Sequence, residues 1–137
     1  MQNHLLILLI TLQADNGNYL SRYQASGTST IRIDGTTTNK YTEFRVRILE
    51  NGKISLQADN GNYLSRYQEG GTSTIRIDRA TTNKHTEFRV RVLANNKITL
   101  QADNSNYLRR YQESCSSTIR IDASTPDRHC EFSYTVK

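Results

Sequence analysis

The chain has 137 residues, enough to bury one core of ordinary size. Only 35% of it is hydrophobic, no run approaches the roughly 18 apolar residues of a membrane-spanning helix, and with Pro126 as its one proline no proline-rich disordered linker is expected. The formal net charge of +5 bears on partners and not on fold; it admits nucleic acid, acidic filaments and anionic glycans.

The first element is an apolar run, Leu5–Ile10. It is six residues long with no Lys or Arg before it, too short and wrongly flanked for a secretory signal. It predicts a strand that ends in Ile10 and runs into the first of three repeats. Outward side chains on it would offer an oligomer contact.

Residues 12–24 read LQADNGNYLSRYQ, and the same thirteen letters return at 56–68. A close copy, LQADNSNYLRRYQ, occupies 100–112. Aligning 11–54 with 55–98 gives 35 identities in 44, and 99–137 is a shorter, more divergent third copy. The expected organisation is a single domain, 1–137, built of these three units.

Each unit carries four short stretches of period-2 alternation, near 10–15, 18–24, 29–34 and 43–49 in the first copy and 44 residues further on in the next. In the second copy Ile54, Leu56 and Ala58 share a face, Leu64 follows, Ile75 and Ile77 point inward, and so do Phe88, Val90 and Val92. Asn60-Gly61 and Gly70-Gly71 supply turn chemistry between them. No stretch has helical periodicity.

Twelve strands in three units admit a propeller, but three blades fall below the usual four to eight and the chain has no Trp for a Trp-Asp signature. A linear solenoid would need specialised caps, and the first copy is nearly identical to the middle one. Closure about a three-fold axis remains. The predicted fold class is all-β, a β-trefoil: a six-stranded barrel closed at one end by three hairpins, with pseudo-three-fold symmetry.

Residues 43–66, EFRVRILENGKISLQADNGNYLSR, resemble the repeat of fascin-like β-trefoils, in which Phe-x-Val, a Gly-Lys turn and an apolar strand precede Gly-x-Tyr-Leu-Ser. Fascins, the His-rich actin-binding trefoils and agglutinins of the amaranthin type share that pattern. The resemblance covers all three copies and implies the fold. For function it leaves several classes open, because the superfamily includes actin bundlers, lectins and inhibitors and fold does not fix function.

Two loops hold the polar groups that recur. Asp15, Asp59 and Asp103 lie at the first hairpin turn, where Asx residues cap turns and where a carboxylate beside an aromatic ring can take a sugar. Asn39 and Tyr41, Asn83 and His85, and Asp127 and His129 lie in the loop before the fourth strand. By resemblance to trefoil lectins, three glycan sites are expected at Asp15/Asn39/Tyr41, Asp59/Asn83/His85 and Asp103/Asp127/His129. The third departs most, with Asp127 for Asn, Pro126 in the loop and Arg109 for Ser.

Arginines 32, 76, 120, 45, 89, 47 and 91 are expected to face outward. They fit a charged barrel exterior or a contact with acidic actin. No nucleic-acid motif accompanies them, which argues against that partner. Only three His occur and none recurs in every copy, so no nucleophile–base constellation is formed and a binding protein is expected instead of an enzyme. No Cys/His cluster has metal-ligand spacing, so no metal or cofactor is expected. Cys115 and Cys130 have no counterparts in the other copies and are either free thiols or one local disulfide. The partners implied are glycans or glycoconjugates, with actin as the alternative.

Overall fold

The computed structural model describes residues 7–137. Leu5 and Leu6 of the opening run therefore lie outside the described residues. The strands are β1 (Ile7–Gln13), β2 (Tyr19–Ala25), β3 (Thr28–Gly35), β4 (Glu43–Ile48), β5 (Lys53–Gln57), β6 (Tyr63–Glu69), β7 (Thr72–Arg79), β8 (Phe88–Val92), β9 (Lys97–Gln101), β10 (Tyr107–Gln112), β11 (Ser117–Ala123) and β12 (Phe132–Val136).

Six of them close a barrel in which every neighbour is antiparallel: β1 pairs β4, β4 pairs β5, β5 pairs β8, β8 pairs β9, β9 pairs β12, and β12 returns to β1. The other six form hairpins β2–β3, β6–β7 and β10–β11, which meet about the three-fold axis, with Thr30 of β3 paired to Arg76 of β7. The fold is a β-trefoil.

Alternation builds the core three times over. Phe44, Phe88 and Phe132 are fully buried, and so are Leu12, Leu56 and Leu100. Leu20, Leu64 and Leu108 join them from the hairpins, with Ile33, Ile77 and Ile121. Closing the barrel leaves no free sheet edge among these six strands. At the ends of β4, β8 and β12 the expected inward packing of Val92 fails: it is 65% exposed, and its equivalents Ile48 and Val136 are also exposed. β8 leaves the barrel at Val92 and turns into a one-turn 3-10 helix at Ala94–Asn96.

The first hairpin connection shows why its letters recur. Gly17 N–H donates to the Ala14 carbonyl at 3.0 Å and Ala14 N–H to the Asn18 carbonyl at 2.8 Å. The Asn16 side chain accepts from Asn18 N–H at 3.0 Å, and the Gln13 amide donates to the Gly17 carbonyl at 2.7 Å. Gly17 has φ +85°, a left-handed conformation that only glycine adopts without a Cβ penalty. The loop thus places Asp15 at the rim of the barrel in a fixed orientation, and the second copy repeats every one of these bonds.

Candidate functional site

Asn39 and Asn83 start one-turn 3-10 helices at Lys40–Thr42 and Lys84–Thr86. Each side chain accepts from the backbone N–H two residues on, at 2.9 Å, and the Thr hydroxyl at the third position returns the bond to the cap. Asp127 caps the third turn, Arg128–Cys130, in the same way. There Cys130 replaces the threonine, so the reciprocal bond is missing, and its thiol stands 3.6 Å from the Asp127 carboxylate. Burial holds that thiol above its ordinary value. Cys130 is buried, Cys115 is exposed in the β10–β11 turn, and both are free.

These caps aim Tyr41, His85 and His129 at β2, β6 and β10 of their own copies, where an arginine holds an aspartate of the next copy; the two histidines approach that aspartate and Tyr41 lies beside the arginine. Arg22 grips Asp59 with two parallel bonds, Nε to Oδ1 at 2.7 Å and Nη2 to Oδ2 at 3.1 Å, and its guanidinium lies 5.3 Å from the Tyr41 ring centroid. Arg66 grips Asp103 with the same two distances, and His85 Nδ1 stands 3.0 Å from Asp103 Oδ2 without the alignment of a hydrogen bond. Arg110 grips Asp15, and His129 Nδ1 is hydrogen-bonded to Asp15 Oδ2 at 2.8 Å.

The grouping expected within single copies is therefore corrected by one step around the axis. Asp59 sits with Asn39 and Tyr41, Asp103 with Asn83 and His85, and Asp15 with Asp127 and His129. The physical reason is the closure: each Asp turn leads out of a barrel strand that neighbours the preceding copy's fourth strand, as the Arg45↔Gln57, Arg89↔Gln101 and Ser133↔Gln13 register shows.

The arginines at the centre of these junctions were not among the expected site residues. Besides its carboxylate, Arg22 donates through Nη1 to Gln24 at 3.1 Å and Ser29 at 2.9 Å, and Arg66 and Arg110 repeat both bonds. The signal was present, since Asp, Arg and Gln recur in all three copies of the thirteen-letter phrase. Their mutual partnership was not. The side chains of the gripping pairs are only 12–16% exposed.

Partial burial pushes the Asp15 carboxyl upward, but the hydrogen bonds and charges of Arg110 and His129 outweigh it and hold the group below the ordinary carboxylate value. The same opposition, with Arg66 and His85 prevailing, depresses Asp103. Arg22, Arg66 and Arg110 are each raised, first by the bond to their aspartate.

Open clefts lie beside the junctions. One, of about 360 Å³, is lined by Lys40, Glu43, Arg45, Gln57, Asp59 and Gly61. Its equivalent across the chain ends, of about 620 Å³, is lined by Gln13, Asp15, Asn16, Arg110, Arg128 and Glu131. Both fall in the size range of small-ligand sites, and both are rich in donors and acceptors. No group of three or more His, Cys, Asp or Glu suited to a metal ion occurs among the described residues.

The remaining expected outward arginines divide. Arg32, Arg76 and Arg120 stack on Tyr23, Tyr67 and Tyr111, with guanidinium carbons 3.7–3.8 Å from the ring centroids. Arg45, Arg89 and Arg91 are exposed and Arg47 half-buried on β4 and β8, which flank β5 on one side of the barrel.

No protein-family model and no curated protein sequence matches the chain. Solved structures do. A designed 3-fold symmetric protein, ThreeFoil, is similar with a TM-score of 0.78 at 15% identity, over 93% of this chain and 97% of that one. Polyporus squamosus lectin, solved bound to Neu5Aca2-6Galb1-4GlcNAc, is similar with a TM-score of 0.76 at 8% identity, over 99% of this chain and 50% of that one. The Haemophilus ducreyi cytolethal distending toxin is similar with a TM-score of 0.71 at 10% identity, over 91% and 81%. At these identities the likeness is one of fold, and the chain spans half the length of the lectin. The class of protein is a β-trefoil with an internal three-fold repeat.

Proposed function

We propose that the protein is a multivalent carbohydrate-binding protein, with up to three glycan sites at the junctions where one copy meets the next. The observation that carries this reading is the recurrence, at each junction, of a carboxylate, an amide or acid cap and a ring: Asp59/Asn39/Tyr41, Asp103/Asn83/His85 and Asp15/Asp127/His129. In this reading the arginine grip pre-organises each carboxylate, and its remaining lone pairs accept from sugar hydroxyls. The Asn39 and Asn83 carboxamides, whose oxygens hold the caps, donate through their NH₂ groups. Tyr41 is 38% exposed and covers the apolar face of a sugar ring. Three such sites around one axis raise avidity for a repeated glycan by roughly 10²–10⁴ where geometry lets them bind together.

A glycan array read with folded protein tests it. Binding should be displaced by free monosaccharide and weakened by Asn39→Ala with Asn83→Ala. Silence across the array from a protein with an intact β-sheet spectrum would sink the reading. One observation favours a second reading, an actin contact: Arg45, Arg47, Arg89 and Arg91 gather on one side of the barrel. That contact predicts filament co-sedimentation that salt abolishes and no sugar displaces.

A further inference from the structure

The three junctions are not equal in charge, and the difference lies where the repeat breaks. On the strand facing each Asp turn, Arg45 is paired with Gln57 and Arg89 with Gln101, but Ser133 is paired with Gln13. In the first cleft the Asp59 carboxylate is satisfied by Arg22 and that of Glu43 by Lys137. Lys40 and Arg45, which line the same cleft, have no carboxylate partner among the described residues. At the second junction Arg66 satisfies Asp103 and Lys53 stands 3.8 Å from Glu87. Lys84 and Arg89 are left over among the described residues, Arg89 donating only to the Asn51 carbonyl at 3.0 Å. At the third, Arg110 satisfies Asp15, Arg109 stands 3.6 Å from Asp127 and Lys97 4.0 Å from Glu131, so among the described residues Arg128 alone is left.

Resting on the carbohydrate reading, we infer that the first two junctions select a saccharide bearing an anionic oxygen group, carboxylate or sulfate, while the third takes a neutral one. Two uncompensated cations beside a polar cleft attract an anion, and a guanidinium offers two parallel N–H groups that match the oxygens of either group. A neutral sugar leaves that pair of charges unused. At the third junction the hydroxyl of Ser133 makes no such demand.

The test is titration of the folded protein with one oligosaccharide in three forms, neutral, uronate-bearing and sulfated, at low and high salt. The anionic forms should bind roughly tenfold to hundredfold more tightly than the neutral form at low salt, at two sites per chain, and converge on it at high salt. Comparison of the uronate and sulfate arms identifies which anion fits. Arg45→Ser with Arg89→Ser, which writes the third copy's residue into the first two, should erase the preference. Binding of the neutral form at the third cleft, which neither substitution touches, should persist. Ser133→Arg should add a third anionic site. Equal affinity for all three forms, or an unchanged preference in the double variant, overturns the inference and leaves the lectin reading standing. Absence of binding by every form overturns both. Equal binding of poly-glutamate, uncompeted by any sugar, overturns it by showing a mere polyanion surface.

Discussion

Single residues decide where the repeat is strained. Gly17 and Gly61 take positive φ at the hairpin turn, but the third copy places Ser105 there, with φ +71°. A left-handed serine carries a Cβ penalty that glycine does not, partly offset by the greater entropy that glycine loses on folding. Ser105→Gly should therefore raise stability by about 0.5–1 kcal/mol, read as a higher denaturant midpoint at unchanged slope. No gain would show that the surrounding turn has relaxed to suit serine. Cys130 is a second such departure, because it interrupts the cap that Thr42 and Thr86 complete.

At the scale of elements, the connection that matters is between copies. Each arginine on the second strand of a unit holds the turn after the first strand of the next, so three grips stitch the barrel to its hairpins. Arg66→Ala leaves the Asp103 carboxylate largely desolvated without its main partner, and should cost about 1–3 kcal/mol. The contribution of these grips depends on pH. Asp15 and Asp103 are depressed in the folded state. Their contribution is thus fully present above the unfolded value near 3.9 and is lost as pH falls through the lower folded value. Thermal melts should show a gap between the native chain and Asp103→Asn that is constant near neutrality and narrows below about pH 4. A gap that stays constant into acid would mean the aspartate acts through packing and not through its charge.

For the molecule as a whole, symmetry puts equal weight on the three copies of the core. Phe44, Phe88 and Phe132 are all fully buried, so truncating any one opens a cavity of the same kind. Phe88→Ala should cost about 3–5 kcal/mol. Phe44→Ala and Phe132→Ala should cost amounts close to it, measured by chemical unfolding. A much smaller loss at Phe132 would show that the third copy, with Tyr134 where Val46 and Val90 stand, carries less of the core. The outer surface does not share this equality, because the charged residues of β4 and β8 have no counterparts on β12.

Much of this was legible in the letters. The 44-residue period, the alternation of Ile54, Leu56 and Ala58, and the Asn-Gly turns follow from local rules that act within a few residues, and they suffice to define twelve strands and a three-fold closure. What the sequence could not supply was the choice of partner. Asp15 has arginines 22, 66 and 110 in the same spelling at the same place in each copy, and pattern alone cannot tell one from another. Only the closed barrel, which brings the turn after β1 against β10 and the loop before β12, pairs it with Arg110 and His129. A repeated sequence determines the shape of each interaction, and the tertiary arrangement decides between which copies it forms.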